Sequence, residues 1–131
     1  MTQIQKQQIR QKISFTDSEL NDLIIESIRE IKGKEIVKID LRDLHDASTD
    51  YFIICSGEST TQVKAISENI EKRVKGNLKE FPYSVEGKTE SRWILLDYFN
   101  TVVHVFHPES RLFYELEELW SDGKITEFED I

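Results

Sequence analysis

The sequence predicts a mixed α/β fold, an α+β arrangement in which a sheet of about five strands is flanked by helices. Three observations predict it. Apolar residues recur at helical spacing after Phe15 and again after Ser59. The continuous apolar run YFIIC at 51–55 lies between those two segments. Two further runs, RWILLDY at 92–98 and TVVHVF at 101–106, follow each other closely enough to form a hairpin. Helices separated by strands imply a helix-covered sheet, and the combination of crossover and hairpin connections makes its strand pairing mixed.

Each element has a local cause. Thr16 and Glu19 are spaced as a capping box, and Phe15 and Leu20 as the hydrophobic staple around it. Leu20, Leu23, Ile24, Ile28 and Ile31 then mark one helical face, with Gly33 as the stop. In KEIVKIDL, at 34–41, Val37, Ile39 and Leu41 alternate with polar residues, as in a half-buried strand. The polar segment 42–50 reads as a loop, and YFIIC as a strand covered on both faces, ended by Ser56 and Gly57. A second helix begins near Ser59 or Thr60, buries Val63, Ile66, Ile70 and Val74, and ends near Gly76. Pro82 and Gly87 bracket a short strand at 83–86, and the hairpin follows. Pro108 occupies a first helical position, where its missing N–H costs nothing. Leu112, Phe113, Leu116, Leu119 and Trp120 follow as the stripe of a last helix. The expected order is α-β-β-α-β-β-β-α. The Gln-rich start and the tail SDGKITEFEDI, whose anchors are Ile125, Phe128 and Ile131, are expected to be loose.

A length of 131 residues is that of one domain, long enough to fold without staples. The single cysteine, Cys55, cannot form an internal disulfide, which fits a reducing compartment. No run approaches the roughly 20 apolar residues of a membrane span, and the start lacks the apolar core of a secretory signal. A soluble cytoplasmic protein is expected. Its formal charge is −8, from 25 acids and 17 bases. Residues 1–14 carry Lys6, Arg10 and Lys12 without an acid, while residues 109–131 carry eight acids against Arg111 and Lys124. Such a charge repels nucleic-acid phosphates and either attracts basic protein surfaces or simply keeps a small protein soluble.

Candidate chemistry is sparse. His104 and His107 on one strand point to opposite faces, so they do not share a metal unless the strand ends between them. Cys55 sits in the most apolar strand, where a thiol is a small core residue. CSGEST at 55–60 has one glycine where dinucleotide loops have three, and reads as a strand-to-helix turn with a serine cap. Asp40, Asp43, Asp46 and Asp50 surround the first loop but include no D-x-D pair of the kind that two-metal transfer favours. The hairpin is more informative. Trp93, Leu95 and Asp97 share one face, as do Val102, His104 and Phe106, whereas Ile94, Leu96 and Tyr98 face the other way. An aromatic-rich face with few charges is either core or a protein-docking surface.

Several segments together resemble the ribosomal silencing factor family, also called RsfS or Iojap. They are DYFIICSGEST-x-QVKAI (50–66), VEG (85–87), RWILLDY (92–98), VVHVF (102–106) and ESRLFYELEELW (109–120). The resemblance sets a domain at 15–120, between a polar extension at 1–14 and an acidic tail at 121–131. It implies a nucleotidyltransferase-like fold without catalytic carboxylates, no enzymatic activity, and neither cofactor nor metal. It also implies a partner on the intersubunit face of the large ribosomal subunit, universal large-subunit protein fourteen. Occupying that face keeps the small subunit from joining and lowers translation under nutrient limitation. Carried over by position, the implied contact residues are Trp93, Asp97, Tyr98, His104, Arg111 and Tyr114. Asp97, His104 and Arg111 have competing structural readings as hairpin brace, buried bridge and helix ion pair. A homodimer through the exposed hairpin is a further reading.

Two departures stand out. The family commonly has Asp-Tyr-Gly-Asp at the hairpin turn, where this chain has Asp97-Tyr98-Phe99-Asn100. Glycine permits positive φ, so Phe99 implies another turn geometry or a different bound surface. Glu58 stands where a small hydroxyl residue is usual. The alternative function is a Mg²⁺-dependent nucleotidyl- or phosphotransferase built on the acidic loop at 40–50.

Overall fold

The computed structural model describes residues 15–130. The expectation for the Gln-rich start lies outside the described residues. Helix α1 (Asp17–Glu30) leads into strand β1 (Lys34–Asp40), then β2 (Tyr51–Ser56), helix α2 (Thr60–Leu78), β3 (Ser84–Glu86) and the hairpin β4 (Trp93–Asp97) and β5 (Thr101–Phe106). Two short helices, α3 (Pro108–Tyr114) and α4 (Leu116–Leu119), and a last strand, β6 (Lys124–Phe128), complete the described residues. The six strands form one sheet in the order β3-β4-β5-β2-β1-β6. Only β2 and β5 run parallel, joined by the crossover through α2; the other neighbours are antiparallel.

The helix starts follow from their caps. The Thr16 side chain accepts from the Glu19 N–H at 3.0 Å while the Glu19 carboxylate reaches back to the Thr16 N–H. Ser59 caps α2 by accepting from the Gln62 N–H at 3.1 Å. Both helices cover the same side of the sheet. There Leu20, Ile24 and Ile28 of α1 and Val63, Ile66, Ile70 and Val74 of α2 pack on Ile53, Cys55, Ile94, Leu96, Val103 and Val105. The end of α1 differs from the sequence expectation. Lys32, not Gly33, takes the left-handed conformation (φ 62°), and Gly33 is buried where a Cβ would overlap the Ile28 side chain.

Three expectations are corrected. The sheet has six strands rather than about five, because the tail read as loose supplies β6. Its register against β1 runs from Ile36–Phe128 to Asp40–Lys124. The segment gave little hydrophobic signal because it is an edge strand whose residues, apart from half-buried Phe128, are exposed; backbone hydrogen bonds hold it. Gly123 lets it approach, since a Cβ there would lie 2.5 Å from Ile39 Cγ2 and 3.1 Å from the Asp40 carbonyl oxygen.

Second, the helix expected from Pro108 to Trp120 is broken at Glu115, which is left-handed (φ 48°, ψ 48°). Third, the hairpin turn is not a different geometry in which Phe99 avoids positive φ; Phe99 itself adopts φ 71°. The strain is offset by anchoring. The Phe99 N–H donates to Asp97 Oδ1 at 2.9 Å, the Thr49 hydroxyl donates to the Phe99 carbonyl at 3.0 Å, and the ring is buried against Tyr83.

The close approach at Gly123 makes a prediction. Gly123→Val should lower unfolding free energy by about 1–3 kcal/mol through overpacking against Ile39 and Leu41. Urea unfolding followed by circular dichroism measures this, and a midpoint unchanged from wild type would show that β6 is not tightly seated.

Candidate protein-docking face

The side of the sheet opposite α1 and α2 has less cover. Register places Trp93 opposite Phe106, Leu95 opposite His104, and Asp97 opposite Val102. The parallel pair then brings Phe52, Ile54 and Ser56 beside Val102, His104 and Phe106. Towards β1 this face is closed by Leu116 and Trp120 and by Leu44 and Ala47 of the loop at 41–50, which pack with Val37, Ile39, Leu41, Ile54 and Phe106. Beyond them Phe52, Trp93, Leu95 and Val102 are only half-buried.

Trp93 is fixed at the boundary between the covered and open parts. Its indole N–H donates to His104 Nδ1 at 3.1 Å. Its ring stacks on Phe106 with centroids 4.9 Å apart, and Tyr114 packs against it at 4.7 Å. His104 lies beneath with 3% exposure, and Phe52 meets its ring edge-on at 4.6 Å. Desolvation lowers the imidazole pKa to about 3, so the ring is neutral at physiological pH. With Nδ1 accepting from Trp93, the proton sits on Nε2. His104 is therefore a neutral acceptor that sets the orientation of the tryptophan.

The six sequence-derived residues divide accordingly. Trp93 and Tyr114 lie together on the open face, and Tyr114 is 51% exposed. Asp97 is on the same face, where its carboxylate braces the turn by accepting from Phe99. His104 is underneath it. Tyr98 is corrected: it is 1% exposed and packed in the opposite layer, with burial raising its phenol pKa, so it is no surface contact. Arg111 is corrected too, because its guanidinium is turned inward, with a side chain only 10% exposed. It pairs with both carboxylate oxygens of Glu117 at 3.0 and 3.1 Å and donates to Ser56 Oγ at 2.9 Å and to the Glu35 carbonyl at 2.8 Å. Glu35 is the left-handed residue of a bulge in β1 (φ 51°), so this one side chain ties α3, α4, β1 and β2 together. Sequence reasoning missed Phe52 as part of the face, because only the β2–β5 pairing brings it there. Leu95 and Val102 were already on that face by alternation.

Other groups take structural roles. Cys55 is fully buried and desolvation pushes its thiol up to about 12. His107 caps α3 by accepting from the Glu109 N–H at 3.3 Å. At Gly57 a Cβ would lie 2.9 Å from the Val63 nitrogen, so close passage onto α2 explains that glycine without a phosphate. In the acidic loop the Arg42 guanidinium pairs with both oxygens of Asp40, at 3.0 and 2.8 Å, and holds its carboxyl below the usual range. Exposed Asp43 faces Lys124 at 3.5 Å. Among the described residues no three His, Cys, Asp or Glu side chains converge as a metal site, and no helix is long and apolar enough to cross a membrane.

Comparison with known proteins identifies the family. The sequence profile of the family described as "Ribosomal silencing factor during starvation" matches residues 15–131. The chain belongs to the ribosomal silencing factor family. It is 33% identical over 117 residues to Ribosomal silencing factor RsfS of Halalkalibacterium halodurans, covering 89% of this chain and 98% of that one. It is 33% identical over 102 residues to the mouse protein named Mitochondrial assembly of ribosomal large subunit protein 1, covering 76% of this chain and 44% of the mouse one. A crystal structure of a Chromobacterium violaceum protein superposes with a TM-score of 0.77 at 32% identity, over 82% of this chain and 88% of that chain. The fold is thus the family's, and the chain is a ribosome-associated translation regulator rather than an enzyme.

Two predictions follow from Trp93's surroundings. Because His104 titrates near 3 when folded and near 6.5 otherwise, the unfolded chain binds the extra proton between those values. Its contribution to stability is full above about pH 6.5 and is lost as pH falls towards about 3. His104→Gln keeps an acceptor for the indole but does not titrate. Its urea midpoint should fall less than wild type's between about pH 6.5 and 5, and parallel curves would refute the buried neutral imidazole. Arg111→Lys replaces a fork by a single ammonium that cannot serve all three partners. It should cost about 1–3 kcal/mol and shift tryptophan emission to the red as α3 loosens over Trp93. Unfolding and emission spectra that match wild type would rule out the clamp.

Proposed function

We propose that this chain binds the large ribosomal subunit through the half-open face of β4, β5 and β2. The partner is universal large-subunit protein fourteen, and the bound chain blocks joining of the small subunit by occupying its place. In a cytoplasm short of nutrients this lowers translation without any chemical step. The observation that carries the reading is the preformed strip of Trp93, Leu95, Val102, Phe52 and Tyr114, an apolar and aromatic surface on rigid strands with Trp93 locked by His104. Buried aromatic anchors of this kind supply most of the energy of protein interfaces, and pre-organisation reduces the ordering cost of binding. The charge of −8 favours encounter with a basic ribosomal surface. The naming of the mouse relative for assembly of the large ribosomal subunit supports that subunit as the target. The alternative transferase has no comparable support, since Asp40 is engaged by Arg42 and exposed Asp43 faces Lys124.

Sedimentation of purified subunits with and without the protein tests the reading. Wild type should travel with the large subunit and leave free subunits in place of joined ribosomes. Trp93→Ala should weaken binding about tenfold or more, and Leu95→Arg, which keeps the Trp93 cluster, should do the same. Normal joining in the presence of excess wild-type protein would refute the block. Full binding by both folded variants would refute the face.

A further inference from the structure

The break at Glu115 leaves apolar side chains without cover. An unbroken helix would carry Leu112, Phe113, Leu116, Leu119 and Trp120 on one stripe. Instead Leu116 and Trp120 go down onto the sheet, while Leu112, Phe113 and Leu119 are 76%, 79% and 73% exposed. The stripe is split between two sides of one segment. Part of the exposed half adjoins the open sheet face: Phe113 packs edge-on against Tyr114 at 5.0 Å, and Tyr114 packs against Trp93. It is also preformed, since the Arg111 clamp fixes α3 on the sheet and the Leu119 N–H bonds the Glu115 carbonyl at 3.2 Å.

The charge around this ridge is mostly negative. Glu115, Glu118 and Asp122 are exposed and have no ion-pair partner among the described residues, and Glu109 is paired with Arg92. The sole cation between residues 108 and 123 is Arg111, which is turned inward onto Glu117. An apolar ridge with an acidic border repels phosphates, whether of RNA or of anionic lipid. A second copy of the chain would set the same acidic border against itself. What complements it is an apolar recess bordered by Lys and Arg on a protein.

We infer that Leu112, Phe113 and Leu119 form a second docking surface, which seats in a base-bordered apolar recess of a large-subunit protein. The inference rests on the large-subunit reading above and adds to it a recognition element outside the sheet face. Full-length wild type, Leu112→Ser/Phe113→Ser and Glu118→Lys/Asp122→Lys are compared for binding to purified large subunits at several salt concentrations. Circular dichroism and sedimentation equilibrium run alongside. These side chains are in solvent, so the variants should fold and melt as wild type does. The serine pair should weaken binding about tenfold or more. The lysine pair should slow association and flatten its salt dependence, and it decides the matter if the serine pair does not fold. Wild type that fails to bind large subunits overturns both readings. Wild type that binds, with both variants matching it in affinity and association rate, overturns the ridge alone. A serine pair that turns a dimer into a monomer without changing subunit affinity assigns the ridge to a second copy and overturns the inference.

Discussion

A sheet whose central strands are apolar on both faces has to be covered twice, and among the described residues the long helices lie on one side only. In β2 and β5, Ile53, Ile54, Cys55, Val103, His104, Val105 and Phe106 are all buried although they alternate between faces. Helices α1 and α2 bury one set. The other is covered by a loop, two short helices and the Trp93 ring. From this shortage follow the neutral histidine under an indole, the arginine that staples α3 and α4 in place, and the strip of half-exposed apolar side chains left over. The face proposed for docking is the part of the sheet that the second layer of the described residues leaves half-open.

What was legible in the sequence was local. The capping box at Thr16, the serine cap at Ser59, Pro108 at a helix start and the alternation within the hairpin each depend on neighbours a few residues apart, and each took its expected form. Strand β6 was not legible because its partner, β1, is remote in sequence and its pairing is carried by backbone groups common to all residues. The break at Glu115 opposes a good helical stripe. What favours it is tertiary, the reach of Arg111 to Ser56 and to the bulged Glu35, and no local pattern encodes that reach.

The candidate site shows the same division. Alternation alone separates Tyr98 from Trp93 and Asp97, and the structure keeps it separate; the family resemblance had carried all three over by position. Arg111 was carried over by position as a contact, with pairing to a helix acid as its competing reading, and it is the pairing with Glu117 that the fold forms. Only the fold shows that its partners surround it. Phe99 illustrates the converse. A position suited to glycine accepts phenylalanine because Asp97, Thr49 and Tyr83 hold it from three directions, so a residue type did not dictate the turn.

The two ends of the sheet bear on how readily it recruits neighbours through its edges. An uncovered apolar face is a hazard chiefly when a free strand edge beside it can recruit a neighbour's backbone. Here one edge, β3, is three residues long, too short to template a lasting ladder. The other, β6, presents Glu127 and is followed by Glu129 and Asp130. A neighbour adding itself there would bring like charges close together. The acidic tail thus confers colloidal insurance: a sheet with a half-open apolar face is discouraged from polymerising through its rims.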